Sequence, residues 1–226
     1  MTVTHRPPQE LLLDYAAGNL AEPLALLVAS HLTLCPESRH DVSELEALGG
    51  VLLERSEPEP MASGSLDRMM ARLEESEPES ESSITSSAVP GEPGDTDGSP
   101  RLPAPLRRHL GDGLDSAGWR RLGPSIAEAK LLGDRPQFKT RLLRIKAGAA
   151  VPLHSHEGSE YTLVLEGGFS DELGHYLRGD VSVTDSEVTH RPVADDDEDC
   201  ICLVVTDAPL RLAGPFGRLI NRFVRF

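Results

Sequence analysis

Residues 148–167 read GAAVPLHSHEGSEYTLVLEG. His154 and His156 stand one residue apart, and on an extended strand positions i and i+2 point to the same face. Glu160 follows four residues later and opens the apolar run Tyr161–Leu165, which closes at Gly167. His190 lies further on, in another β-like segment. Three imidazoles and one carboxylate form a borderline-hard donor set suited to a first-row divalent metal. Zinc, iron, manganese and nickel all suit such a set, and zinc is the expected ion.

Outward from that stretch, residues 105–226 read as all-β. Phe138–Ile145 (FKTRLLRI), Tyr161–Gly167 (YTLVLEG), Val181–Asp185 (VSVTD) and Cys200–Thr206 (CICLVVT) are short apolar runs separated by turn residues, with Gly167-Gly168 and Gly179-Asp180 as turns. This spacing points to a sandwich or small barrel, the double-sheet jelly roll included. The order Gly148, His154, His156, Glu160, Gly167 resembles the first motif of the cupin superfamily. Gly179-Asp180 followed by His190 resembles the second, without the usual Pro before the glycine and without a terminal Asn. The resemblance implies a metal held by His154, His156, Glu160 and His190.

Residues 1–73 read helical. Pro7-Pro8 precedes Leu11, Leu12, Tyr15 and Ala16 at helical spacing, and Gly18-Asn19 stops that run. A second helix spans about Glu22 to Leu34 and ends before Pro36. Ser38 is expected to cap a third helix carrying Val42, Leu45, Leu48, Leu52 and Leu53; a fourth follows Ser65 with Leu66, Met69, Met70 and Leu73. The result is a small bundle with a thin core. Residues 74–104 are acidic and rich in Ser, Pro and Gly, with too little apolar surface to offset chain entropy. They are expected to form a disordered linker between a helical domain, 1–73, and a β domain, 105–226: an α+β two-domain chain.

Charge narrows the function. The 226 residues carry a net charge of −15, and residues 1–72 hold 5 Lys and Arg against 11 Asp and Glu. Direct nucleic-acid binding needs the opposite balance; a basic protein partner fits. No apolar run of membrane-spanning length and no signal peptide is visible, and three cysteines make no disulfide framework, so a cytoplasmic location is expected.

His31 and Cys35 are four apart on the second helix and share a face. His5, upstream, can fold back onto it, which makes three plausible zinc ligands. The stretch Leu12–Gly50 resembles the zinc-binding anti-sigma domain, whose motif is an upstream His followed by His-x3-Cys-x2-Cys. Together with the cupin and the segment Asp199–Leu212 (DCICLVVTDAPLRL), the chain resembles the ChrR family of cytoplasmic anti-sigma factors. That resemblance implies zinc at His5, His31 and Cys35, and an extracytoplasmic-function sigma factor as partner, released when singlet oxygen or a related oxidant acts on the metal-bound cupin. Position 38 departs from it: Ser38 stands where the second Cys belongs, so a fourth ligand would have to come from Glu37, His40 or water.

The alternative is a metal-dependent cupin enzyme of the dioxygenase or isomerase type, which leaves residues 1–73 without a role; a non-enzymatic regulator is the expectation. Cys200 and Cys202 share one strand face and read as small buried residues rather than an oxidant sensor. Asp195–Asp199 reads as a solvated acidic loop, His109 and His175 as surface residues, and Arg218, Arg222 and Arg225 as outward positions of a packed tail.

Overall fold

The structure is a computed structural model that describes residues 3–75, 102–110, 113–133 and 137–212. The expected linker, apart from its edges, and the arginine-bearing tail lie outside the described residues.

Helices come first. α1 (Gln9–Ala16) follows Pro8 and ends at Gly18, whose φ of +72° suits a residue without Cβ. α2 (Glu22–Leu34) has Pro23 in its first turn, where a missing N–H costs nothing. It stops because Cys35, preceding Pro36, is extended at φ −120°, ψ 102°. α3 (Pro36–Glu54) starts at that proline, two residues before the expected cap. Ser38 is therefore inside the first turn and buried, not an N-cap. α4 (Ser65–Glu75) leaves Leu66, Met69, Met70 and Leu73 exposed. A short helix, α5 (Ala104–Leu110), lies at the start of the stretch expected to be all-β, and buries Leu106 and Leu110.

Among the described residues, twelve strands follow. β1 (Arg120–Arg121), β2 (Ile126–Lys130), β3 (Lys139–Ile145), β5 (Glu160–Glu166), β8 (Val181–Thr184) and β11 (Cys200–Thr206) form a six-stranded sheet in the order β1-β2-β3-β11-β5-β8. β6 (Gly168–Ser170), β7 (His175–Leu177) and β10 (Val193–Ala194) form a second, ordered β10-β6-β7. β4 (His154–His156), β9 (Thr189–His190) and β12 (Leu210–Leu212) form a third, ordered β12-β4-β9. Every strand pairing is antiparallel, and the jelly-roll class expected of a cupin is the class observed.

The six-stranded sheet separates two cores because side chains alternate along its strands. Ile201, Leu203 and Val205 of β11 join Leu142, Leu163 and Leu165 in a core shared with Leu11, Leu12, Leu27, Val28 and Val42 of the helices. Cys200, Cys202 and Val204 of the same strand join Ile145, Val164, Phe169 and Tyr176 on the other face. Residues 1–50 and 100–226 accordingly cluster as one compact unit, and residues 51–99 as another. α2 packs on the β5–β11 face of the sheet, and Leu11, Leu12 and Val42 of α1 and α3 join the same core, while Leu48, Leu52 and Leu53 of α3 stay exposed. No described helix is long and apolar enough to cross a membrane.

Candidate metal centre

β4 turns His154 and His156 to one side, both buried, with Ser155 between them less so. β9 pairs with β4 so that His190 sits directly opposite His154. Glu160 begins β5, four residues from His156. The ligand atoms of His154, His156, Glu160 and His190 all lie within 4.8 Å of one another. His190 Nε2 is 3.1 Å from His154 Nε2 and 3.3 Å from His156 Nε2, and Glu160 Oε1 is 3.8 Å from His156 Nε2.

The hydrogen bonds behind these rings set their tautomers. His154 Nδ1 is 2.8 Å from the Pro152 carbonyl, which can only accept, so Nδ1 carries the proton. His190 Nδ1 donates to Asp171 Oδ2 at 2.9 Å. Each ring is left with its lone pair on Nε2, and the two lone pairs face each other across 3.1 Å. Such pairs repel unless a proton or a cation lies between them. A proton is disfavoured, because burial pushes His154 and His156 down to about 4. Burial also raises the Glu160 carboxyl, although the charges of His190 and Arg141 oppose it. His156 Nδ1 is buried with no hydrogen-bond partner. A divalent cation among the facing Nε2 atoms and the Glu160 carboxylate would relieve the lone-pair repulsion, and the donor set fits one.

Asp171 is the site residue that the sequence did not reveal. Its Oδ1 accepts from the backbone N–H of Leu173 (2.8 Å) and Gly174 (3.2 Å), which aims Oδ2 at His190. Burial alone would raise its carboxyl; the hydrogen bonds from His190 and those two amides outweigh it and hold the group below its ordinary value. A carboxylate behind a ligating imidazole fixes its orientation and increases its basicity.

Beside the four ligands is a cavity of about 60 Å³ with walls from Leu143, Val151, Phe169, Ser182 and Cys202. Cys200 and Cys202 are buried, with their sulfurs 3.5 Å apart. The hydrogen bond to Cys200, then burial, pushes the Cys202 thiol up, so it is a protonated wall of the cavity. His175 is exposed and pairs with Asp195 at 2.8 Å. His5, His31 and Cys35 do not join a comparable group: among the described residues, the four cupin side chains form the one cluster of three or more His, Cys, Asp and Glu ligands.

Residues 113–209 match the ChrR cupin-like domain family. A curated protein, anti-sigma-E factor ChrR of Cereibacter sphaeroides, is 40% identical over 225 residues, covering 100% of both chains. The chain belongs to the ChrR family. Among solved structures, Rhodobacter sphaeroides SigE in complex with the anti-sigma ChrR matches with a TM-score of 0.76 and 40% identity, covering 91% of this chain and 100% of that one. The identity to ChrR is not confined to the cupin, so helices and β domain belong to one shared architecture. This ChrR-family chain thus gathers His154, His156, Glu160 and His190 into one cluster that could hold a metal ion, with His190 hydrogen-bonded to Asp171.

Proposed function

We propose that this chain is an anti-sigma factor that sequesters an extracytoplasmic-function sigma factor and releases it when an oxidant acts on a metal-bound cupin. The observation that carries the reading is the full-length relation to anti-sigma-E factor ChrR, helices included. Local features support it. Leu12, Leu13, Leu45 and Leu48 line a groove between α1 and α3 together with Glu10, Asp41 and Glu44. A groove lined by both apolar and acidic side chains suits a basic amphipathic partner segment. The apolar residues of α4 are exposed, as a partner-binding surface requires. A cytoplasmic location follows from the reading, since that is where sigma factors act.

The cupin residues would hold the metal, zinc in this proposal, by His154, His156, Glu160 and His190. The ion, when bound, supplies Lewis acidity and an exchangeable coordination position. The chain's own residues do the rest: Asp171 and Pro152 hold two imidazoles in the ligating tautomer, and the apolar walls exclude bulk water. The cavity, about 60 Å³, is far below the roughly 300–1,000 Å³ typical of small-molecule sites. That favours a regulator over a cupin enzyme. Release requires the altered cupin state to bind the sigma factor less tightly than the resting state.

The test is calorimetric titration of the full chain with each extracytoplasmic-function sigma factor of the same genome, before and after oxidant exposure. A 1:1 complex that weakens at least tenfold on exposure is expected, with His154→Ala binding but no longer responding. Absence of binding to every such sigma factor overturns the proposal.

A further inference from the structure

Of the residues that resemble zinc ligands, His31 has both ring nitrogens engaged otherwise, while His5 Nδ1 makes no hydrogen bond. His31 is wholly buried. Its Nδ1 lies 2.8 Å from the Gly179 carbonyl, so Nδ1 carries the proton and donates. Nε2 then holds the ring's lone pair, and the Ser38 hydroxyl donates to it across 2.8 Å. Both ring nitrogens are satisfied in the neutral form, which burial favours. Zinc would need the lone pair that Ser38 occupies, and a serine hydroxyl is not among its usual protein ligands. Cys35 Sγ is 3.4 Å from Glu37 Oε2 and accepts from the Ser38 amide at 3.5 Å.

His5 lies against the β domain. Its ring packs on Tyr176 with centroids 4.5 Å apart, and its Nδ1 is 3.5 Å from Asp180 Oδ2. The backbone N–H groups of Thr4 and His5 donate to Asp180 Oδ1 at 2.6 and 2.8 Å, and the Leu177 amide donates to Oδ2 at 2.9 Å. The Val181 amide donates to the His5 carbonyl at 2.9 Å. Gly179, at φ +94°, allows the approach: a Cβ there would lie 2.8 Å from Val3 Cγ2 and 3.4 Å from Leu34 Cβ.

We infer that His5, His31 and Cys35 bind no metal in this chain, and that His31 and the His5 segment instead fasten the helices to the Gly179–Asp180 turn. His31 is a neutral bridge from Ser38 to Gly179, and residues 3–5 are a strap across the Asp180 carboxylate. Ser38 is the residue that makes the exchange possible: its hydroxyl supplies to Nε2 the proton that a second thiolate could not. Docking of the helices is then independent of zinc. The inference does not rest on the sigma-factor reading, and it corrects what the resemblance implied for these residues.

The experiment counts metal in the full chain. Wild type and Cys35→Ser are purified with excess zinc, desalted and measured by plasma mass spectrometry. Equal zinc content in the two is expected; one equivalent fewer in Cys35→Ser overturns the inference. The second readout is hydrogen exchange at the Thr4 and His5 amides. Ser38→Ala, a small change, is expected to raise their exchange at least threefold, and Cys35→Ser to leave it unchanged. Exchange that rises equally in both variants means the residues act as one metal-linked unit, and refutes the bridge.

Discussion

Replacing Asp171 with Asn tests the metal centre without touching a ligand. The carboxylate accepts three hydrogen bonds: from His190 on Oδ2 and from the Leu173 and Gly174 amides on Oδ1. An amide of the same shape cannot reproduce them. With its oxygen toward the two backbone amides, its NH₂ meets His190 Nδ1, and the imidazole must move its proton to Nε2, the atom that ligates. With its oxygen toward His190, its NH₂ faces two N–H donors in a buried site. Either orientation loses at least one charge-assisted bond, and the first also removes a ligand lone pair. A carboxylate that orients a ligating imidazole typically contributes roughly 10- to 100-fold in metal affinity. Asp171→Asn should therefore weaken zinc binding by that factor, or about 1.4–2.7 kcal/mol. The assay is competition against a chromophoric chelator at pH 7.5, with Asp195→Asn, whose partner His175 is exposed, as the control expected to stay within twofold of wild type. Wild-type affinity in Asp171→Asn would refute both the tautomer argument and the assignment of His190 as a ligand.

Three further outcomes are expected. Met69→Glu and Met70→Glu alter side chains that are 65% and 49% exposed; urea denaturation should show a change within about 0.5 kcal/mol, while calorimetry should show the sigma-factor Kd rising at least tenfold, about 1.4 kcal/mol. Gly179→Ala places a side chain at φ +94° against Val3, and should cost about 2 kcal/mol or more in the same denaturation assay; a cost below about 0.5 kcal/mol would contradict the close approach. Burial holds His31, His154 and His156 below 6.5, the last two at about 4. The unfolded chain takes up these protons first, so their contribution is complete above pH 6.5 and is lost as pH falls toward 4. For metal-stripped protein, His154 and His156 should each remove about 2 kcal/mol of stability between pH 7.5 and pH 5, seen as a falling urea midpoint; a midpoint that does not fall would show these imidazoles to be solvated.

Much of the centre was legible because its geometry is local. The His154-Ser155-His156 alternation needs only the two-residue period of a strand, and Glu160 opens a run whose apolar pattern announces β5. His190 was legible through motif spacing alone. Asp171 was not, since its bond to His190 spans 19 residues and depends on the pairing of β6 with β7; the surrounding Asp-Glu-Leu-Gly signals a turn but not its target. The first helices followed from apolar spacing and from Pro7-Pro8, Gly18-Asn19 and Pro36. α5 has 7 residues, too few for periodicity to register, and the 2- and 3-residue strands β6, β7, β9 and β10 are likewise below any pattern. His31 lies in the last turn of α2, but Cys35 falls just beyond it in extended backbone, so the expected shared helical face stops one residue short. The role of the His31 ring is decided by Gly179, 148 residues away, which helical spacing cannot express.

The alternation along β11 has an evolutionary consequence. Cys200, Cys202 and Val204 face the core beside the His/Glu cluster, while Ile201, Leu203 and Val205 face the core shared with the helices. Six adjacent positions of one strand thus answer to two unrelated selective pressures, interleaved residue by residue. A lineage that retunes its signal would change the even-numbered positions, and one that reshapes its helical cap the odd-numbered ones. Residues that drift together across related chains should sort into two sets that share this strand and seldom share a position.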